Sequence, residues 1–136
     1  MDNLKLLKGL LLTTAVFVVL YWTSVFAGAF PLEELVPGYK NWFVSFPLPD
    51  FYIATCAMLA LSYLSKDKQL GGLFTALAGS GLIFLGLYAL AYGHNTGLLY
   101  ILTKEEIIEI FIKIYCLSTG TYFILQAWKL IKVSRH

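Results

Sequence analysis

Four long apolar stretches, separated by short polar segments, dominate the chain. They cover residues 9–32, 51–65, 70–92 and 107–131. A helix needs about 20 mostly apolar residues to cross the hydrocarbon core of a bilayer. The pattern predicts an all-α membrane protein built as an antiparallel four-helix transmembrane bundle. With the helix ends included, we expect spans at about 6–30, 48–65, 69–92 and 104–131.

Local signals place the ends of two of these helices. The second stretch has only 15 uncharged residues, 51–65, and becomes long enough if its helix begins near Leu48, with Pro49 at the first helical position. The fourth has the clearest start, because Thr103 followed by Glu106 forms a capping box. The turn between the second and third stretches is short, so those helices should be antiparallel neighbours.

The basic residues collect on one side of the four spans. Seven of them lie there, namely Lys5, Lys8, Lys66, Lys68, Lys129, Lys132 and Arg135. Six of the eight acidic residues lie toward the opposite side. Since cytoplasmic loops of membrane proteins carry the excess of Lys and Arg, we expect both termini to be cytoplasmic. In a prokaryote the protein would lie in the plasma (inner) membrane.

Composition narrows the class of protein further. The chain is 59% hydrophobic and 13% charged, with a mean hydropathy of +0.74, which is too apolar for a soluble domain of 136 residues. Residues 1–136 should form a single four-span domain with the lipid bilayer as its main partner. No space remains for a soluble catalytic domain, and nothing in the composition supports binding to nucleic acid.

The two loops expected on the outer side are unusually apolar. Residues 31–49 contain all four prolines together with Tyr39, Trp42, Phe43 and Phe46. The second loop contains the apolar run 98–102. We expect both loops to lie in the membrane interface or to fold over the mouth of the bundle.

The third span carries two rows of small residues at a spacing of four. They are Gly71, Thr75 and Gly79 in one row, and Gly72, Ala76 and Ser80 in the other. Such rows let helix backbones approach closely in a membrane. The spacing predicts a packing face, whose partner is either another helix of this chain or a second copy.

Polar and ionisable side chains that could bind a ligand or take part in chemistry concentrate toward the expected outer side. The candidates for a ligand pocket are Asn41, Asp50, His94, Asn95, Glu106, Glu109 and Lys113. Lys113 is the most informative, because it lies roughly 15 Å along the fourth helix, where a lysine facing lipid is costly. Either it reaches back to the interface and pairs with Glu109, or it faces inward in a charged stripe with Glu106 and Glu109 that binds an anionic or zwitterionic group.

Three function classes follow from these features. In the first, an outer pocket around Asp50, His94, Glu109 and Lys113 binds or transports a small molecule or lipid headgroup, in a homo-oligomer. In the second, the protein is an accessory subunit that docks on a larger membrane complex through the small-residue face. In the third, which ranks last, His94 and Asp50 or Glu109 act as acid and base in a lipid-modifying enzyme. No nucleophile motif, metal-ligand spacing or cofactor motif is present, so catalytic residues and cofactors stay unassigned.

Overall fold

The computed structural model describes residues 2–30 and 32–135, and within them it is helical, with no strand. The elements in chain order are α1 (Asp2–Phe26), α2 (Tyr39–Phe43), α3 (Pro47–Tyr63), α4 (Lys68–Thr96), a 3₁₀ turn (Leu98–Tyr100) and α5 (Lys104–Ser134). Four helical segments are long and apolar enough to cross a membrane: α1, the segment Tyr39–Tyr63 that joins α2 to α3, α4 and α5. The prediction of an all-helical chain with four such helices is confirmed.

Backbone geometry explains where the helices end. α1 ends at Phe26 rather than near residue 30, because Gly28 adopts a left-handed conformation (φ +82°) that a helix cannot contain. α4 continues to Thr96, beyond the expected end at residue 92, and is terminated by Gly97 at φ +76°. Pro31, the first residue of the expected first loop, lies outside the described residues.

The helix starts are capped by side chains where the sequence supplies them. Asp67 accepts hydrogen bonds from the backbone N–H groups of Gln69 and Leu70 at the start of α4. Thr103 accepts one from the Glu106 N–H at 3.2 Å and so begins α5. The expected capping box is half formed, because the Glu106 side chain bonds elsewhere instead of returning to Thr103.

The four long helices pack in the order α1, α3, α4, α5, and α1 touches α5 only sparsely. At one end of the bundle, Lys8 Nζ of α1 donates to Ser65 Oγ at 2.8 Å; we name this the terminus end. At the other end, Trp22 of α1 donates to Asp50 of α3. We name this the long-loop end, because it carries the connections of residues 27–46 and 97–103.

Glycines spaced seven residues apart hold α4 against α5. A Cβ on Gly72 would lie 2.9 Å from Ile131, one on Gly79 would lie 2.8 Å from the Gly120 carbonyl oxygen, and one on Gly86 would lie 3.0 Å from Leu117. A seven-residue spacing is the repeat of left-handed helix pairs. The partner of the packing face is therefore α5 of the same chain.

The two predicted rows of small residues contribute unequally to packing. Gly71, Gly72, Thr75 and Gly79 are buried, and Gly71 packs closely on Leu64 in the α3–α4 turn. Ala76 is only half-buried, and Ser80 is exposed. Residues spaced by four share one side of α4, but only those spaced by seven remain in contact with α5 along its length.

Replacement of Gly79 by leucine tests the α4–α5 contact. A Cβ atom there would lie 2.8 Å from both the Gly120 carbonyl oxygen and Phe123 Cβ, and backbone cannot rotate away. We expect Gly79→Leu to lower the free energy of unfolding by about 1–3 kcal/mol or more, measured as a lower Tm of the purified protein in detergent. Gly9→Leu is the control, because no neighbouring atom lies within 4 Å of a Cβ there. Equal Tm values for Gly79→Leu and wild type would contradict the close crossing.

Candidate functional site

The long-loop end of the bundle is covered by an aromatic cap. Tyr39 and Phe43 of α2 are 6% and 7% exposed, and they pack with Trp22 of α1 and Leu98 of the 3₁₀ turn. Part of the expected loop is therefore a short helix with a buried face. Tyr39, Phe43 and Leu98 thus fold over the bundle, whereas Tyr100, Ile101 and Leu102 of the second connection are exposed.

Trp42 fixes this cap on α4. Its ring stacks on Tyr92 with centroids 3.9 Å apart and an interplanar angle of 6°, and it meets Phe46 edge-on at 4.6 Å. Its indole Nε1 is buried and has no hydrogen-bond partner among the described residues. Such a donor costs about 1–3 kcal/mol while it stays unsatisfied, so this position favours a ligand or water that supplies an acceptor.

Below the cap lies a cavity of about 80 Å³, which we name cavity 1. Residues of α1, α2, α3, α4 and α5 line it. Its polar lining residues are Asp50 of α3 and Glu109 and Lys113 of α5. The remaining walls are Tyr21, Trp22, Trp42, Phe43, Phe46, Leu85, Gly86, Ala89, Ile112 and Cys116.

Lys113 faces the interior and is 7% exposed. Its Nζ lies 3.1 Å from Oε1 of Glu106, which is 3% exposed. Long side chains on a helix lean toward its N-terminus, so Lys113 can reach a residue two turns earlier. The interpretation in which Lys113 reaches the interface and pairs with Glu109 does not match this geometry. The inward stripe of Glu106, Glu109 and Lys113 does.

The two other carboxylates of cavity 1 each bond to a neutral donor. Asp50 accepts a hydrogen bond from Trp22 Nε1 at 2.7 Å. Glu109 accepts one from the Tyr39 hydroxyl of α2 at 2.5 Å. Among the described residues, the one ion pair is that between Lys113 and Glu106, so neither Asp50 nor Glu109 has a cationic partner.

A second cavity of about 120 Å³ adjoins the first and is named cavity 2. The two share Tyr21, Phe43 and Glu109 as walls. Cavity 2 is also lined by Glu106 and by the exposed carboxylates Glu33 and Glu105. It therefore lies between cavity 1 and the surface of the long-loop end, along an acidic wall.

Three of the predicted site residues lie apart from both cavities. His94 is exposed, with Nδ1 2.8 Å from the Tyr100 hydroxyl. Asn41 and Asn95 are exposed and line neither cavity. The structure thus brings together Asp50, Glu106, Glu109 and Lys113, but it does not bring His94 to the carboxylates as the enzyme hypothesis requires.

Sequence reasoning missed the aromatic walls as part of the site. Trp22, Trp42, Phe43 and Phe46 line cavity 1. A signal existed in the spacing of Tyr39, Trp42, Phe43 and Phe46, which is that of one helical face. The prolines around this segment favoured a loop and concealed it.

Comparison with protein-family models, curated proteins and solved structures finds no match for this chain. Among the described residues, no group of three or more His, Cys, Asp or Glu side chains is arranged to hold a metal ion. The site must therefore be interpreted from its own geometry.

Replacing one partner of the Glu106–Lys113 ion pair should destabilise the protein more than replacing both. Glu106→Gln leaves the Lys113 ammonium buried without a counter-ion, a change that typically costs about 3–5 kcal/mol. We expect a clear fall in Tm for Glu106→Gln, and partial recovery in the double variant Glu106→Gln/Lys113→Met, measured by thermal unfolding in detergent. Glu105→Gln, at an exposed neighbouring position, should leave Tm unchanged. Additive losses in the double variant would show that the two residues do not interact.

Proposed function

We propose that this is a four-span membrane protein that binds or transports a small molecule or a lipid headgroup in cavity 1. The observation that carries the proposal is the convergence of Asp50, Glu109 and Lys113, from two different helices, on one cavity under an aromatic cap. Ionisable groups inside membrane spans are costly and face cavities or functional paths. A concave, mostly apolar site with a few convergent polar groups is typical of small-molecule pockets.

The burial of Lys113 supports this proposal over an accessory role. An inward lysine paired with Glu106 keeps a charged wall beside the cavity, which a purely structural subunit does not need. The small-residue face expected to dock on a partner is occupied within the chain, since Gly72 and Gly79 pack on α5. Assembly as a homo-oligomer would then use other surfaces.

We further propose that the terminus end faces the cytoplasm, and that in a prokaryote the protein lies in the plasma membrane. The support is the sorting of basic residues to the terminus end and of acidic residues to the long-loop end. The acidic wall of cavity 2 would then face the outside, and cavity 1 would be reached from there.

Orientation can be measured with two single cysteines at exposed, uncharged positions. Asn41→Cys lies at the long-loop end and Gln69→Cys beside the short turn at the terminus end. Both are made in a Cys56→Ala/Cys116→Ala background. We expect a membrane-impermeant maleimide to label Asn41→Cys in intact cells and Gln69→Cys only after lysis. The reverse pattern would overturn the proposed orientation.

Access of water to cavity 1 can be measured at Ala89, which lines it. In the same cysteine-free background, Ala89→Cys should react with 2-aminoethyl methanethiosulfonate at least about tenfold faster than Leu87→Cys, since the thiol must ionise in water to react. Leu87 is the matched control, because it lies on the same helix and is exposed on the apolar surface. Equally slow reaction at both positions would indicate a dry interior and favour the accessory-subunit alternative.

A further inference from the structure

The acidic and basic groups of cavity 1 and of the ion pair beside it are unequal in number. Asp50, Glu109 and Glu106 supply three carboxylates, and Lys113 supplies one ammonium group. Glu106 holds the Lys113 ammonium at 3.1 Å. Asp50 and Glu109, which both line cavity 1, are left with neutral hydrogen-bond donors. These two carboxylates would repel an anionic ligand when ionised, whereas both would attract a cation.

The walls of cavity 1 add a second attraction for a cation. Tyr21, Trp22 and Phe43 form a continuous group of rings, because the Trp22 centroid lies 5.3 Å from the centroids of both Tyr21 and Phe43. Trp42 and Phe46 lie on another side of the cavity. Aromatic faces attract cations through the ring quadrupole, and aromatic cages are the usual means of binding quaternary ammonium groups.

Size and ligand type restrict the cation further. A volume of about 80 Å³ is roughly half of the ~150 Å³ that holds a benzene molecule in a dry protein cavity, so cavity 1 alone takes only part of a trimethylammonium group, and the rest must extend into the adjoining cavity 2 of about 120 Å³. The site therefore accepts a small group rather than a whole lipid. A hard metal ion such as Ca²⁺ requires about 6–8 oxygen ligands, which mostly carbon walls do not provide.

From these three observations we propose that cavity 1 binds a small alkylammonium group, held by Asp50 and Glu109 within the rings of Trp22, Trp42 and Phe43. The group belongs either to a free amine or to the headgroup of a choline-type lipid. This inference rests on the proposed function, because it names the ligand class of the same pocket.

The test is binding of radiolabelled choline to the full chain in nanodiscs of phosphatidylglycerol, which contains no ammonium group. We expect saturable binding that tetramethylammonium displaces. The uncharged analogue 3,3-dimethylbutan-1-ol has the shape of choline and should compete at least about tenfold more weakly, because it lacks the charge. Equal competition by the neutral analogue, or no saturable binding, would overturn the inference.

Variants assign the binding to the named residues. Glu109→Gln and Asp50→Asn should each weaken choline binding by about tenfold or more. Glu34→Gln is the matched control: Glu34 is exposed, lines neither cavity, and accepts a hydrogen bond from the Gly38 N–H that the amide oxygen can still accept. Trp42→Leu should weaken binding by up to about tenfold, and Trp42→Phe by less, because phenylalanine retains an aromatic face. Unchanged affinity in both carboxylate variants would place choline outside cavity 1 and contradict the proposal.

Two further measurements are needed. One distinguishes a lipid headgroup from a free amine as the source of the alkylammonium group, and the other distinguishes failure of this inference from failure of the proposed function. Nanodiscs of phosphatidylcholine should reduce binding of free choline if the lipid headgroup occupies the site, and leave it unchanged if the ligand is a soluble amine. If choline does not bind while Ala89→Cys remains accessible to water, the pocket stands and the alkylammonium inference fails. If Ala89→Cys is also inaccessible, the proposed function fails with it.

Discussion

The close crossing of α4 and α5 at Gly79 and Gly120 is the contact on which the site depends. A Cβ atom on Gly79 would lie 2.8 Å from the Gly120 carbonyl oxygen, and one on Gly120 would lie 2.7 Å from the Gly79 carbonyl oxygen. α5 packs mainly on α4 and contacts α1 through side chains such as Thr14 and Tyr115, whose hydroxyl oxygens lie 2.7 Å apart. The face of α5 that carries Lys113 turns toward the interior. In membranes such packing replaces the hydrophobic effect, since lipid tails are as apolar as the helix surfaces.

Once charged groups lie in that interior, their hydrogen bonding determines which of them remain available. Lys113 and Glu106 satisfy each other, and their mutual burial is tolerable only as a pair. Asp50 and Glu109 instead accept from Trp22 and Tyr39, donors that carry no charge. The same aromatic residues thus hold the carboxylates in position and form the walls around them. Lys113 and Glu106 thus form a structural ion pair, whereas Asp50 and Glu109 face the cavity.

The sequence predicted the long helices well, because crossing a bilayer depends on length and composition, which are local properties. It predicted Asp50, Glu109 and Lys113 as candidates for the same reason, since a charge within an apolar helix is visible without a fold. The partner of Lys113 was not predictable from spacing. On an isolated helix Glu109, one turn away, competes well with Glu106, and the outcome depends on Tyr39, which arrives from α2 and bonds to Glu109.

The cap was the least predictable part of the fold. A five-residue helix such as α2 has little intrinsic stability and exists here because Tyr39 and Phe43 pack on Trp22 and Leu98. The prolines and aromatic residues of segment 31–49 are equally compatible with an interfacial loop. The predicted rows of small residues also described the α4–α5 contact incompletely. Only the packing of the two helices shows that the glycines at every seventh position, Gly72, Gly79 and Gly86, contact α5.

The sparse contact between α1 and α5 has a consequence for how the protein is made. α1 is synthesised first, yet its main packing partner is α3, and α4 and α5 form their own close pair later. Until α3 follows, the apolar surface of α1, with its many exposed leucine, valine and phenylalanine side chains, lacks its main packing partner within the chain. α1 and α5 are therefore held in position mainly through α3 and α4, and only a few direct contacts join them.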